Sequence, residues 1–431
     1  MREYTLVLLT GLAVTLLLAP ACRSLALRLG AVARVRGRDV HDHAIPYFGG
    51  LAMLGGVAAA FLLASRLPFL TRYPEMSGQA LGILGGAAVI CLVGVVDDLF
   101  DLSALVKAAG QVLAAGVTVL GGVRMLWVPW PGTIISLERT ASILITVFAI
   151  FLITNAINFI DGLDGLAAGV VTIGAGAFFI YAYWLAVEEN LIRATTASLV
   201  TVAICGVCLG YLPHNFHPAR MFMGDSGSML LGLLMAASTI SLTGQLDPYS
   251  VNRGGGLFAA AMPLILPFAV LALPLADFVL AFVRRTYRGQ WWFRADKQHL
   301  HHRLLERGHS HVGAVFLMYS WAALVSFGIL SLGLWPGRRT FVIVAAVLVA
   351  VAVVTLWPRR READPPGAVA DLPEAPGVAP PAEPGPRSGD RALWPGVAPP
   401  VGPPPWADDR ALLPAPAASA VSGPPRRSVA P

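Results

Sequence analysis

The chain has 431 residues, of which 56% are hydrophobic and only 13% charged. A mean hydropathy of +0.68 excludes a soluble globular domain and fits a polytopic helical membrane protein. Aromatics, at 9%, are too sparse and the apolar runs too long for an outer-membrane barrel, and the net charge of +6 fits an anionic substrate or membrane surface without identifying one.

In chain order, apolar segments long enough to span or nearly span a bilayer fall near 4–25, 48–66, 79–96, 104–121, 140–157, 163–186, 195–212, 227–243, 258–283, 314–334 and 339–357. The first has few charges before it and no small-residue cleavage site, so it reads as a retained span. The stretch 122–139, with Trp127, Pro129, Trp130, Pro131 and Gly132, fits a small hairpin or an interfacial aromatic anchor. Cys22, Cys91, Cys205 and Cys208 all lie in apolar runs and are expected as buried small residues, not disulfides. From residue 358 the chain turns rich in Pro, Ala and Gly and loses apolar periodicity. The expected fold is all-α: a polytopic integral membrane protein with about eleven transmembrane helices in residues 1–357, and a disordered cytoplasmic tail in 358–431.

The Lys/Arg bias sets the orientation. With the N-terminus outside, the inner side gathers Arg34, Arg36, Arg38, Lys107, Arg220 and the basic stretch from Arg284 to Arg307, among others. Every polar cluster then falls on that same inner side, which argues for one composite site there. The third span ends in Asp97-Asp98, followed by Asp101. Adjacent residues on a helix point about 100° apart, so the two aspartates are expected to have different roles. Lys107 opens the fourth span with Gln111 one turn on, and it is one of two lysines among 31 basic residues, the other being Lys297. A compact ammonium suits a phosphate, and it equally suits a snorkelling position at the membrane edge.

The fifth span ends in Asn155-Ala-Ile-Asn158-Phe-Ile-Asp161-Gly-Leu-Asp164-Gly165. Polar groups at strict three-residue spacing drift around a helix, so one continuous helix could not aim all four at one point, and the glycines offer a break. Carboxylates and carbonyl oxygens without thiols suit a hard cation, and also a polar interhelical junction. The seventh span leads into His214-Asn215-Phe216-His217 and then Met221-Phe222-Met223-Gly224-Asp225-Ser226-Gly227-Ser228. Here Asp225 is expected in a short loop before the eighth span, whose opening N–H groups could hold phosphate or take a side-chain cap. Phe222 fits a base-stacking role or an interfacial anchor. Asp277 lies inside the ninth span, where a charge is expensive without compensation. The loop after it carries Asp296, Lys297, His299, His301 and His302, which read as phosphate contacts more readily than as a zinc site.

Taken together and in order, these motifs resemble the polyprenyl-phosphate N-acetylhexosamine-1-phosphate transferases, relatives of the phospho-MurNAc-pentapeptide translocases, over residues 1–357. The His299-Leu-His301-His302 pattern and the eleven-span count resemble the WecA/TagO-type branch. The first inner loop, Arg38 to Gly50, is similar to the family's but departs from it in Asp42-His43-Ala44 and Tyr47. The resemblance implies transfer of GlcNAc-1-phosphate from UDP-GlcNAc to a polyprenyl phosphate, with UMP released, as a first step in a cell-wall or surface polysaccharide pathway. It places the enzyme in a bacterial plasma membrane with its active site on the cytoplasmic side. It implies Mg²⁺, with Mn²⁺ as an alternative, held first by Asp225 and second by Asn158. Asp97 is implied as a base or phosphate-orienting group with Asp98 beside it. Asp161 and Asp164 are implied as further catalytic residues that, with Asn215 and Phe222, hold the nucleotide. Lys107, His299, His301 and His302 are implied as phosphate or sugar contacts. Direct attack by the lipid phosphate and a covalent aspartyl intermediate both stay open, a homodimer is compatible, and no nucleic acid is expected. Two other classes fit parts of the chain. Asp97-Asp98-Leu-Phe-Asp101 matches the metal motif of membrane prenyltransferases, and a secondary transporter is the other class, although it would place charges near the bilayer midplane and these carboxylates sit at span ends.

Overall fold

The structure is a computed structural model that describes residues 1–33, 45–68, 70, 74–130, 133–187, 194–243 and 308–356, with scattered positions between 265 and 304. Among the described residues ten helices run in chain order: α1 (Arg2–Leu29), α2 (Gly49–Ala64), α3 (Pro74–Phe100), α4 (Ala104–Leu120), α5 (Arg139–Ile160), α6 (Leu166–Val187), α7 (Ala194–Asn215), α8 (Gly224–Thr243), α9 (His311–Leu334) and α10 (Arg338–Leu356). Eight are long and apolar enough to cross a membrane, and α2 and α4 are shorter apolar helices. Most of the expected ninth span, with Asp277, lies outside the described residues, so the count of eleven is not established. Also outside are residues 34–44, the loop with Asp296, Lys297, His299, His301 and His302, and the tail from 358.

Between α4 and α5 the chain forms an antiparallel hairpin, β1 (Trp127–Trp130) paired with β2 (Thr133–Ser136), with Trp127 opposite Ser136. It is tied to α5 by Ser142 Oγ donating to Met125 O at 2.6 Å and Met125 N–H donating to Thr146 Oγ1 at 2.9 Å. All four cysteines are buried and free.

Three expected boundaries move. Hydropathy ends where charge begins, but backbone hydrogen bonds continue past that point. So α3 runs on through Asp97 and Asp98 to Phe100, and α7 carries His214 and Asn215 on its last turn. Asp225 sits in the first turn of α8, not in the loop before it.

The two most buried spans, α7 and α8, form the centre. α1 and α6 flank α7; α3 and α5 flank α8; α9 packs on α6, and α10, with no buried residue, packs on α9. Lipid offers helices no hydrophobic drive to associate, so close backbone approach through small residues must do it. Gly206 and Gly210, four apart on α7, meet α1 in this way: a Cβ on either would strike the carbonyl of Leu8 or Leu12. One turn further on, Pro20 in α1 has no N–H to donate to the carbonyl of Leu16. The His214 ring of α7 lies against that carbonyl, Nε2 to Leu16 O 3.2 Å.

Gly206→Ala is therefore expected to destabilise the protein by about 1–3 kcal/mol, the usual range for overpacking. Gly176→Ala, where a Cβ meets nothing, should stay within ~1 kcal/mol of wild type and on the stabilising side. Melting temperatures of the two variants in one detergent check this; equal shifts would mean that α1 does not lie against Gly206.

Candidate active site

The last turns of α3 and α5 and the first turns of α4 and α8 bring their polar groups together. Asp97 and Asp98, adjacent in sequence, part as helix geometry requires. Asp97 Oδ1 accepts from Leu102 N–H at 2.8 Å, closing the chain between α3 and α4, while Oδ2 lies 3.0 Å from Lys107 Nζ. Asp98 faces α8 instead. Its oxygens accept from the N–H groups of Asp225 at 2.8 Å and Ser226 at 3.4 Å. Helix N-terminal donors have no partner within the helix and carry partial positive charge, so a carboxylate is favoured there. Asp98 thus takes the donors that the sequence left open for a phosphate. Gly224, with φ 66, starts α8 in a left-handed conformation, and a Cβ there would strike the Asp98 carboxylate.

Lys107 bridges the two helices, pairing with Asp225 as well as Asp97. Asp225 is held from a third side by Asn158 of α5, whose Nδ2 donates to Asp225 Oδ1 at 2.7 Å and to Ser228 Oγ at 2.7 Å. One turn after Lys107, Gln111 is buried and exchanges amide hydrogen bonds with Asn155 of α5, the shorter being Asn155 Nδ2 to Gln111 Oε1 at 2.7 Å. Asp97, Asp98, Lys107, Asn158 and Asp225 thus form one network.

A second network lies past the end of α5. The helix stops at Asp161, the chain turns, and Gly165 with φ 74 lets α6 begin in a new direction. Asn215 pins this turn to the α7–α8 loop: its Oδ1 accepts from Gly165 N–H at 3.0 Å and its Nδ2 donates to Met221 O at 3.1 Å. Asp164, only 5% exposed, has Oδ2 2.8 Å from His217 Nδ1 and accepts from Ala219 N–H at 3.1 Å. Tyr319 of α9 donates to Gly165 O at 2.5 Å. Phe222 packs at 6.2 Å on Tyr47, and backbone bonds tie residues 46–50 to 222 and 223. His299, His301 and His302 lie outside the described residues. Ser228 and His217 lie within stretches that the sequence singles out, although neither is assigned a role there; Tyr319 of α9 carries no sequence signal and is placed by tertiary packing.

Asp161 lies between the networks. Burial, followed by the negative charges of Asp225, Asp98 and Asp164, pushes its carboxyl up to about 8. Around Asp225 stand the Asp97 carboxylate, the Asn158 amide, which presents its Nδ2, and the Lys107 ammonium, with no thiol among them. The two carboxylates suit a hard divalent cation that takes the place of the ammonium and offer nothing to a thiophilic one.

The raised Asp161 has a consequence for stability. An unfolded aspartate ionises near 3.9, so between about pH 4 and 8 the unfolded chain binds fewer protons at this site than the folded one. Its contribution is present below pH 4 and is lost as pH rises through 8. Without divalent ions, Asp161→Asn should gain melting temperature over wild type progressively from pH 4 to 8, level off above, and gain less in saturating Mg²⁺. A difference independent of pH would mean that Asp161 does not feel the other carboxylates.

A family model described as glycosyl transferase family 4 matches residues 80–243, which span α3 through α8 and every described charged group above. A decaprenyl-phosphate N-acetylglucosaminephosphotransferase of Mycobacterium tuberculosis (strain ATCC 25618 / H37Rv) is 43% identical over 370 residues, covering 84% of this chain and 91% of the relative. A probable undecaprenyl-phosphate N-acetylglucosaminyl 1-phosphate transferase of Bacillus subtilis (strain 168) is 37% identical, covering 72% of this chain and 80% of its own. A phospho-N-acetylmuramoyl-pentapeptide-transferase of Mycolicibacterium smegmatis is 31% identical, covering 58% and 78%. Identity over nine-tenths of such a relative, together with carboxylates, amides and a lysine converging from four helices, makes this chain a member of the polyprenyl-phosphate N-acetylhexosamine-1-phosphate transferase family.

Proposed function

We propose that the protein transfers GlcNAc-1-phosphate from UDP-GlcNAc to a polyprenyl phosphate at the cytoplasmic face of a bacterial plasma membrane, releasing UMP. The observation that carries this reading is the bridge of Lys107 between Asp97 and Asp225, with Asn158 closing the third side. It is a charged site at one end of a membrane bundle, where a water-soluble nucleotide sugar and a lipid phosphate can meet. The names of the relatives give the acceptor class and the sugar.

In the transfer, an oxygen of the lipid phosphate bonds to the phosphorus that bears GlcNAc, and the bond from that phosphorus to the UMP oxygen breaks. Such a reaction depends mainly on positioning and charge stabilisation. Asp97, tethered to Leu102 and Lys107, orients the lipid phosphate or takes its proton. Lys107 faces the phosphates, and Asp98 fixes Asp225 through α8. Asp161, Asp164, Asn215 and Phe222 form the nucleotide side, and His299, His301 and His302 contact phosphate or sugar. Asp225, with Asn158, would hold Mg²⁺ or Mn²⁺, which neutralises the diphosphate charge.

The prenyltransferase reading is not favoured. Asp101 is exposed beyond α3 in a left-handed conformation (φ 53), so it does not join the other two aspartates on one metal. A transporter would place its charges near mid-membrane, whereas these sit at helix ends.

Asp225→Asn keeps the size and removes the charge that pairs with Lys107. It should need more Mg²⁺ and lose kcat by at least tenfold, since each ~1.4 kcal/mol of lost transition-state stabilisation is tenfold. Asp97→Asn keeps an oxygen for Leu102, so it should bind UDP-GlcNAc normally, turn over slowly and resist rescue by Mg²⁺. Mg²⁺ dependence, UDP-GlcNAc affinity and melting temperature measured on both variants separate these outcomes. Wild-type turnover of Asp225→Asn at low Mg²⁺ would remove Asp225 from the site.

The orientation has its own test. Single cysteines at Ser310, before α9, and Gly337, before α10, flank one span, and the four native cysteines are buried. An impermeant thiol reagent added to intact cells should label Gly337→Cys and spare Ser310→Cys. The reverse pattern would put the active site outside.

A further inference from the structure

Asp164, His217 and His311 come from three separate parts of the chain. Asp164 is in the turn before α6, His217 in the loop before α8, and His311 is the first residue of α9. One potential ligand atom from each, a carboxylate oxygen and two ring nitrogens, lies within 4.8 Å of the other two. The histidine rings lie 4.6 Å apart at their centroids, tilted by 32°.

The supports of the cluster are rigid. Asp164 is buried and anchored by Ala219 N–H. His311 opens a capped helix, with Ser310 Oγ accepting from Gly313 N–H at 3.2 Å. α9 is fastened to the same turn by Tyr319 and to the α7 end by packing of Phe316 on Phe216 at 6.1 Å. From this juxtaposition we propose that Asp164, His217 and His311 form a binding site for a borderline divalent transition-metal ion such as Zn²⁺, distinct from the Mg²⁺ site at Asp225.

Two imidazoles and one carboxylate are a common protein ligand set for Zn²⁺, with the fourth position left to water or another ligand. Imidazole selects Zn²⁺ or Co²⁺ over Mg²⁺, which prefers oxygen. Ligand atoms of a tetrahedral ion with bonds near 2.0–2.1 Å stand about 3.3 Å apart. Binding therefore draws the widest pair inward by side-chain rotation. It also replaces the His217–Asp164 hydrogen bond, with the ring proton held on Nε2 when Nδ1 takes the metal. The bound ion cross-links the turn before α6, the α7–α8 loop and α9. This inference does not rest on the proposed transfer reaction, and its test does not use turnover.

The test uses the full chain in lipid nanodiscs, stripped of metal with EDTA and exchanged into chelator-free buffer. Co²⁺ titration should give one equivalent of ligand-field absorption of a four- or five-coordinate site. Zn²⁺ should displace it and raise the melting temperature, while a hundredfold excess of Mg²⁺ should not. His311→Ala and His217→Ala should each weaken Co²⁺ binding by tenfold or more. A variant with His299, His301 and His302 all changed to Ala should keep the absorption. Displacement by Mg²⁺, unchanged absorption in His311→Ala, or loss in the triple variant would overturn the proposal. If His311→Ala melts early without metal, a folded His311→Gln decides. Absorption weakened tenfold or more there supports the site, and unchanged absorption overturns it.

Discussion

The site depends first on a carboxylate at the head of a helix. Asp98 projects from α3 onto the first N–H groups of α8, and the backbones come close enough only because both partners lack side chains at the crossing. A Cβ on Gly94 would strike the backbone at Asp225 and Ser226, and a Cβ on Gly224 would strike Asp98 itself. The bond is charge-assisted, satisfies donors that have no partner within the helix, and places a negative group at the positive end of α8. Because Asp225 is the residue whose N–H is held, its side chain is fixed relative to α3. Asp97, one residue before Asp98, is fixed in the same act. Lys107 can bridge Asp97 and Asp225 only because that geometry is set.

The same logic explains why the polar groups occupy helix ends. Charge in the hydrocarbon layer is expensive, and irregular backbone survives there only when buried in protein. Placing the break between α5 and α6 at the end of the bundle lets Asn215, Tyr319 and Asp164 satisfy its backbone and side chains from neighbouring elements. Even the proline within α1 conforms, since the carbonyl it leaves without a backbone donor lies against His214, on the last turn of α7 and next to Asn215. The packing that holds the bundle and the packing that sets the site share these residues.

Much of this was legible in the sequence because it follows from local rules. The three-residue spacing from Asn155 to Asp164 implied that a single helix could not present all four groups, and α5 ends at Ile160 with Asp161 as its cap. The 100° between neighbours implied different tasks for Asp97 and Asp98, which is how they are arranged. The apolar runs located the ten described helices to within a few residues. What escaped was set by contacts between distant parts of the chain. Tyr319 is one aromatic in an apolar span, and His311 stands apart from the spacing of His299, His301 and His302, so neither carries a local signature. Flanking glycines, Gly224 and Gly227, make a loop the local expectation for Asp225, yet Gly224 begins the helix. The ends of α3 and α7 were cut short for a related reason: hydropathy measures lipid contact, whereas a helix continues as long as its carbonyls find donors.

The charges at the site do not balance among the described residues, and this imbalance bears on how the protein works. Asp97 and Asp225 pair with one ammonium, that of Lys107, while Asp98 and Asp161 add their carboxyls close to Asp225. Two anionic substrates added to such a site would be repelled unless positive charge came with them. Asp161 relieves part of the excess by holding a proton up to about pH 8, a consequence of burial and of its three carboxylate neighbours. A proton is a good placeholder for a divalent ion, because it leaves when the ion arrives and returns when it goes. Lys107 is a different kind of placeholder, since it cannot leave the protein and can only change partners. Its two partners, Asp97 and Asp225, stand on different helices, so such an exchange would run between the end of α3 and the start of α8, beside the α4–α5 contact made by Gln111 and Asn155.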